Sequence, residues 1–140
     1  MNEIFFIDRC LGKKLADSLR NEGATVKIHD DHFEQDIEDE DWLREVGERN
    51  WVVLTKDKKI ASRPLELLAV AQGNVRLFAF ADGNVRGVVM AQAFVNALEN
   101  MQRFIRGNQA PFIAKVYQSG LVNPCKNQKE LLRMLHKTSE

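Results

Sequence analysis

Glu3-Ile4-Phe5-Phe6-Ile7-Asp8-Arg9-Cys10-Leu11 is the stretch that decides the fold: an apolar run from Ile4 to Ile7 stops at Asp8 and gives way to a basic turn containing Gly12. A continuous apolar run of this length suits a strand buried on both faces, as in the middle of a parallel sheet. A second run, Trp51-Val52-Val53-Leu54-Thr55, is followed in the same way by Asp57. In open α/β sheets ligands bind beyond the carboxyl ends of the strands, so two strands each closed by an aspartate point to a shared acidic site. Taken singly, either aspartate would read as a helix cap or a turn residue.

Working outward from these strands, Leu11, Leu15, Ala16 and Leu19 fall on one face of a first helix, which Asn21-Glu22-Gly23 stops. A second strand is expected from Ala24 to His29, and the polar, acidic segment Asp30 to Glu38 reads as a loop. Helix two then runs from about Asp39 to Asn50 and buries Trp42, Leu43 and Val46. Beyond Asp57 the chain is basic, with Lys56, Lys58, Lys59 and Arg63 preceding Pro64, which opens a helix over Leu65 to Gln72. A fourth strand spans Val75 to Ala81, and Val85 to Arg106 has the apolar spacing of a long amphipathic helix. Pro111 to Gln118 reads as a fifth strand and Glu130 to His136 as a short helix. Strands alternating with helices imply right-handed crossovers and a three-layer α/β/α domain with a mainly parallel central sheet.

The 140 residues make one domain, 1–140, whose C-terminal tail from about 127 to 140 is expected to be helical and loosely attached. Lysine plus arginine equals aspartate plus glutamate at 20 each, so no global field draws the protein onto a polyanion, and any such partner must be held by local basic patches and metal. Cys10 and Cys125 are too few and too far apart for a zinc finger or a CxxC pair, and read as free thiols in a reducing cytoplasm. No apolar run is long enough to cross a membrane and no signal peptide is evident, so a cytoplasmic protein is expected. His29, His32 and His136 stand singly and read as surface or loop residues.

A third acid, Asp39, stands where helix two begins, and one helix plus one strand separate it from Asp57. A tight connection returns the end of that strand to the side on which the helix started, so Asp39 and Asp57 can face each other, with Asp8 on a neighbouring strand. Three carboxylates converging at one edge repel one another and make sense mainly around a divalent cation, Mg²⁺ or Mn²⁺ for an all-oxygen site. Asp39 is also a good N-cap, and Glu40 and Asp41 suit a helix N-terminus through its dipole. Asp82-Gly83 after the fourth strand reads as a turn in preference to a fourth ligand. Cys10 reads as packing behind the site.

The aspartate-ended first strand and the segment DEDWLREVGERNWVVLTKD (39–57) resemble PIN-like nuclease domains, particularly the VapC-type toxin relatives. FFIDRCLGKKLADSLRNEGATV (5–26) and VVLTKDKKI (52–60) are the most specific segments, and the resemblance is best from Glu3 to Ala81. It implies Mg²⁺- or Mn²⁺-dependent RNA cleavage with Asp8, Asp39 and Asp57 as catalytic and metal-binding acids, helped by Glu40 or Asp36. Two departures stand out: a typical PIN domain has a further acid on an intervening helix, which is missing here before Asp39, and Lys59 occupies the place of an acid often found two residues past the last aspartate. Arg9, Lys13, Lys14 and Lys58 are the candidate RNA-binding residues, with a solvated helix face as the plain alternative. The expected partners are RNA, a cognate antitoxin protein and a second copy of the chain in a homodimer. The competing functional reading is a PIN-like scaffold without catalysis that binds RNA or protein. A response-regulator-like phosphoacceptor also places acids at strand ends, but the expected lysine pattern is not evident.

Overall fold

The computed structural model describes residues 3–138, without the side chains of Lys58, Lys137 and Thr138. Six strands, β1 (Ile4–Ile7), β2 (Thr25–Ile28), β3 (Val52–Thr55), β4 (Arg76–Phe80), β5 (Phe112–Val116) and β6 (Val122–Lys126), form one sheet in the order β2-β1-β3-β4-β5-β6. β1 to β5 are mutually parallel, and β6 pairs antiparallel with β5 at the edge. The helices are α1 (Lys13–Asn21), α2 (Asp39–Glu48), α3 (Pro64–Gln72), α4 (Gly87–Gly107) and α5 (Gln128–Thr138). This is the expected three-layer α/β/α arrangement.

Alternation along the strands divides the core in two. Phe5, Ile7, Val52, Leu54, Phe78, Phe80 and Phe112 face α1 and α4, whereas Phe6, Val53, Leu77 and Ile113 face α2, α3 and α5. Both faces of the inner strands are buried, which is why their sequences are continuous apolar runs instead of alternating ones. Each fully buried Phe, Leu or Ile contributes about 1.5–3 kcal/mol of transfer free energy. An exposed ion pair contributes about 1 kcal/mol or less, so these layers and not the surface charges hold the sheet.

The chain steps from β1 outward to β2, then returns past β1 to β3, so a crevice opens between the carboxyl ends of β1 and β3 where the strand order reverses. On the face above that crevice α2 and α3 run side by side in very close contact. A Cβ placed on Gly47 of α2 would lie 2.0 Å from the carbonyl oxygen of Gly73 at the end of α3, so only glycine permits the approach.

One expectation needs correction. Uniform right-handed crossovers do not hold: β3–α3–β4 and β4–α4–β5 move the same way across the sheet but over opposite faces, so the last unit has the opposite hand to the other three. Strand β6 was not legible, because Val122-Asn123-Pro124-Cys125-Lys126 lacks alternation and holds a proline, which an edge strand tolerates. Leu131 of the C-terminal helix is fully buried in the core beneath α2, α3 and α5.

Candidate metal centre

The site grows out of strand register. Ile7 pairs with Leu54, which sets Asp8 beside Thr55, and the Asp8 amide donates to the Leu54 carbonyl at 3.1 Å. Thr55 is fully buried; its hydroxyl donates to Asp8 Oδ2 at 2.8 Å and accepts the Asp57 amide at 3.0 Å, tying the two strand ends together. The Cys10 thiol stands behind, 3.5 Å from Asp8 Oδ2 and 3.6 Å from the Thr55 hydroxyl. Burial pushes the Asp8 carboxyl above its ordinary value, against the pull of the Thr55 and Cys10 hydrogen bonds. The same burial, together with the Asp8 charge, pushes the Cys10 thiol up to about 11, so it is a packing and hydrogen-bonding group at neutral pH.

Asp39 opens α2, but Glu38 holds the N-cap position, and Asp39 makes a different contact: its Oδ1 accepts the Trp42 indole N–H at 2.9 Å. Trp42 is fully buried against Phe6, so the ring that anchors α2 to the sheet also orients the carboxylate. As its spacing implied, Asp39 meets Asp57. The third member of the group is Glu66, in the first turn of α3: oxygens of Asp39, Asp57 and Glu66 all lie within 4.8 Å of one another. Asp8 is not one of these three, although it lines a cleft of about 440 Å³ with Asp39, Asp57, His29 and Arg9.

Glu66 is only 7% exposed, and burial together with its hydrogen bond to Asp39 pushes its carboxyl up to about 7. Arg63 opposes that shift. Its Nη1 donates to Asp57 Oδ2 at 2.6 Å and to Glu66 Oε1 at 3.3 Å, and the bond to Asp57 raises the guanidinium further above its usual range. Asp57 Oδ1 accepts the Lys59 amide at 3.1 Å, so the residue at the family's usual acidic position contributes a backbone N–H that fixes Asp57. Sequence reasoning missed Glu66, since a glutamate three residues into a proline-opened helix looks like an ordinary response to the helix dipole. The available signal was that Pro64 starts α3 at the carboxyl edge of β3, which puts its first turn over the crevice.

The remaining candidates scatter. Glu40 lies on the first turn of α2 beside Arg63, Pro64 and Glu66, outside the close carboxylate group. Asp36 is exposed in the loop before α2. Asp82 turns away, its Oδ2 accepting the Gln118 amide. Arg9 lines the cleft but is engaged by Asp30 at 3.1 Å and the Gln35 carbonyl at 3.2 Å. Lys13 and Lys14 are exposed on the first turn of α1, and the Lys58 side chain lies outside the described residues. His29 corrects the surface reading: it is 2% exposed, packed among Phe6, Phe33 and Trp42, with its pKa lowered by burial. Its Nδ1 is 3.7 Å from Asp30 Oδ1, too far for a hydrogen bond.

The carboxylates fit a hard divalent cation. Three carboxylate oxygens within bridging distance match the ligand chemistry of Mg²⁺ or Mn²⁺. Beside them a groove of about 600 Å³ is lined by Lys56, Asp57, Lys59, Arg63, Phe80 and Asn84, among others. Among the described residues no helix is long and apolar enough to cross a membrane.

No curated protein and no solved structure matches the chain. A family model described as "PIN like domain" does match, over residues 3–82, which takes in Asp8, Asp39, Asp57 and Glu66 and ends just after β4. With more than half of its length matched, and a carboxylate cluster at the switch point of a mainly parallel sheet, the chain belongs to the PIN-like domain family.

Proposed function

We propose that the protein is a Mg²⁺- or Mn²⁺-dependent endoribonuclease, and that the observation carrying this reading is the Asp39–Asp57–Glu66 group opening beside a basic groove. Asp39, Asp57 and Glu66 would hold the ion, with Asp8 lining the cleft that it shares with Asp39 and Asp57. The bound cation supplies Lewis acidity, lowering the pKa of water and offsetting charge on the scissile phosphate. Lys56 and Lys59 hold the RNA backbone through phosphates. Asp8 Oδ1, the oxygen not engaged by Thr55 or Cys10, accepts a proton from the attacking water, a role suited to a buried carboxyl with raised pKa. Trp42 and the Lys59 amide keep Asp39 and Asp57 in place.

The test is incubation of the purified protein with single-stranded and structured RNA, with and without Mn²⁺. Cleavage should be abolished by EDTA and by Asp57→Asn, and cleavage that survives both would sink the proposal. As a toxin of a toxin–antitoxin pair in the cytoplasm, the protein should arrest growth when expressed, with Asp57→Asn harmless and relief by a small protein encoded alongside. A second reading, a PIN-like scaffold that binds RNA or protein without cutting, is favoured by the way Arg63 neutralises the acids. Failure to bind Mn²⁺ at millimolar concentration would select it.

A further inference from the structure

Arg63 stands where the carboxylate group meets the basic groove, and its attachment to the acids is of an unusual kind. A guanidinium that is permanently part of a carboxylate site commonly engages it with two parallel N–H bonds. Here one nitrogen, Nη1, serves both Asp57 at 2.6 Å and Glu66 at 3.3 Å, while the side chain as a whole is 45% exposed. The backbone of Arg63 is independently fixed: its N–H donates to the Lys59 carbonyl, its own carbonyl accepts the Leu67 amide, and Pro64 follows. A change of side-chain rotamer therefore moves the guanidinium without disturbing α3.

We propose that Arg63 is an exchangeable counter-ion and phosphate-binding residue: a divalent cation entering among Asp39, Asp57 and Glu66 displaces the guanidinium into the adjoining groove, where it receives a backbone phosphate of single-stranded nucleic acid. This rests on the metal-site reading above and adds a coupling to it. A divalent charge among the acids weakens the attraction that holds Arg63 there, and Arg63 lines the groove together with Lys56 and Lys59. Because coupling is reciprocal, metal should strengthen nucleic-acid binding and nucleic acid should strengthen metal binding.

The experiment is calorimetric titration of the full chain with Mn²⁺ at pH 8, for wild type, Arg63→Ala and Arg63→Gln, with thermal melts to show that each variant is folded. Oligothymidylate binding is then measured across a salt series with and without Mn²⁺. Both variants should bind Mn²⁺ roughly three- to tenfold more tightly, the range that one or two half-exposed ion pairs supply. Mn²⁺ should steepen the salt dependence more in wild type than in the variants, by about 0.7 in slope, the contribution of one phosphate on a single strand. Equal or weaker Mn²⁺ affinity in both folded variants, or an identical change of slope in all three proteins, overturns the exchange and makes Arg63 a fixed strut. Absence of Mn²⁺ binding from all three overturns the metal-site reading itself, and the exchange with it.

Discussion

The two faces of the sheet are built from similar apolar residues, yet they differ in what stands at the helix N-termini. On one face neither α1 nor α4 has an acid in its first turn. On the other, α2 begins with Asp39, Glu40 and Asp41, and α3 has Glu66. Asp8, Thr55 and Asp57 continue the alternation of Phe6 and Val53 and so belong to that second face. The α2–α3 face concentrates negative charge where two helix dipoles favour it, and Glu66 nevertheless keeps a proton up to about 7. Dipoles stabilise separate carboxylates at helix starts. They do not overcome desolvation and mutual repulsion once the acids are within reach of one another, and a cation is the natural complement.

The sharpest way to test this division is to damage each face alone. Phe6→Ala and Phe78→Ala remove fully buried rings from opposite sides of the sheet, and each should cost about 3–5 kcal/mol in thermal or denaturant unfolding. Mn²⁺ affinity, titrated well below the melting temperature, should drop for Phe6→Ala, whose ring supports Trp42 and His29, and hold for Phe78→Ala. Equal effects on Mn²⁺ would abolish the distinction between the faces.

Gly47→Ala is the next largest. Its Cβ would collide with the Gly73 carbonyl, forcing α2 and α3 apart at a cost of about 1–3 kcal/mol, the range for overpacking. Separating the helices also separates Asp39 from Glu66, so melting temperature and Mn²⁺ affinity should fall together. Trp42→Phe keeps most of the ring but deletes the N–H given to Asp39, and should cost about 1 kcal/mol in unfolding experiments, with a several-fold loss of Mn²⁺ affinity.

A further expected change in stability is a pH effect at Glu66. Its carboxyl is raised from 4.5 to about 7 in the folded chain, so the folded state binds more protons than the unfolded state between those values. The contribution to stability is fully present below 4.5 and is lost as pH rises through 7. The melting temperature of the metal-free protein should therefore decline over that window, and Glu66→Gln should flatten the decline. Mn²⁺ must displace the same proton, so its affinity should rise with pH by at most about tenfold per unit below pH 7, a dependence that Glu66→Gln should reduce. A Mn²⁺ affinity independent of pH in wild type would remove Glu66 from the ligand set.

What could be read from the sequence follows the same physics. β1 and β3 were plain because strands buried on both faces leave unbroken apolar runs, and the meeting of Asp39 with Asp57 followed from one helix and one strand between them. Glu66 was hidden by its local normality, as its importance comes from the Gly47–Gly73 contact that sets α3 beside α2. His29 was misjudged for a related reason: its neighbours Asp30 and Asp31 are polar, and Phe6 and Trp42, brought in by tertiary packing, bury it together with Phe33. The closeness of Asp8 to Thr55 depends on β1–β3 register, which a single sequence does not display.

The reversal of hand at α4 bears on where the chain can be cut. A fourth crossover of the same hand would have put α4 on the face already holding α2, α3 and α5, leaving α1 to shield Phe78, Phe80 and Phe112 by itself. Instead α4 lies over those rings, with Phe94 against Phe80 and Phe104 against both Phe78 and Phe112. The family match ends at residue 82, just before this helix. A fragment stopping there would keep Asp8, Asp39, Asp57 and Glu66 and yet expose one apolar side of β3 and β4 to water, an invitation to self-association. The acids are thus encoded in the first part of the chain, while their solubility as a folded site depends on the part that follows.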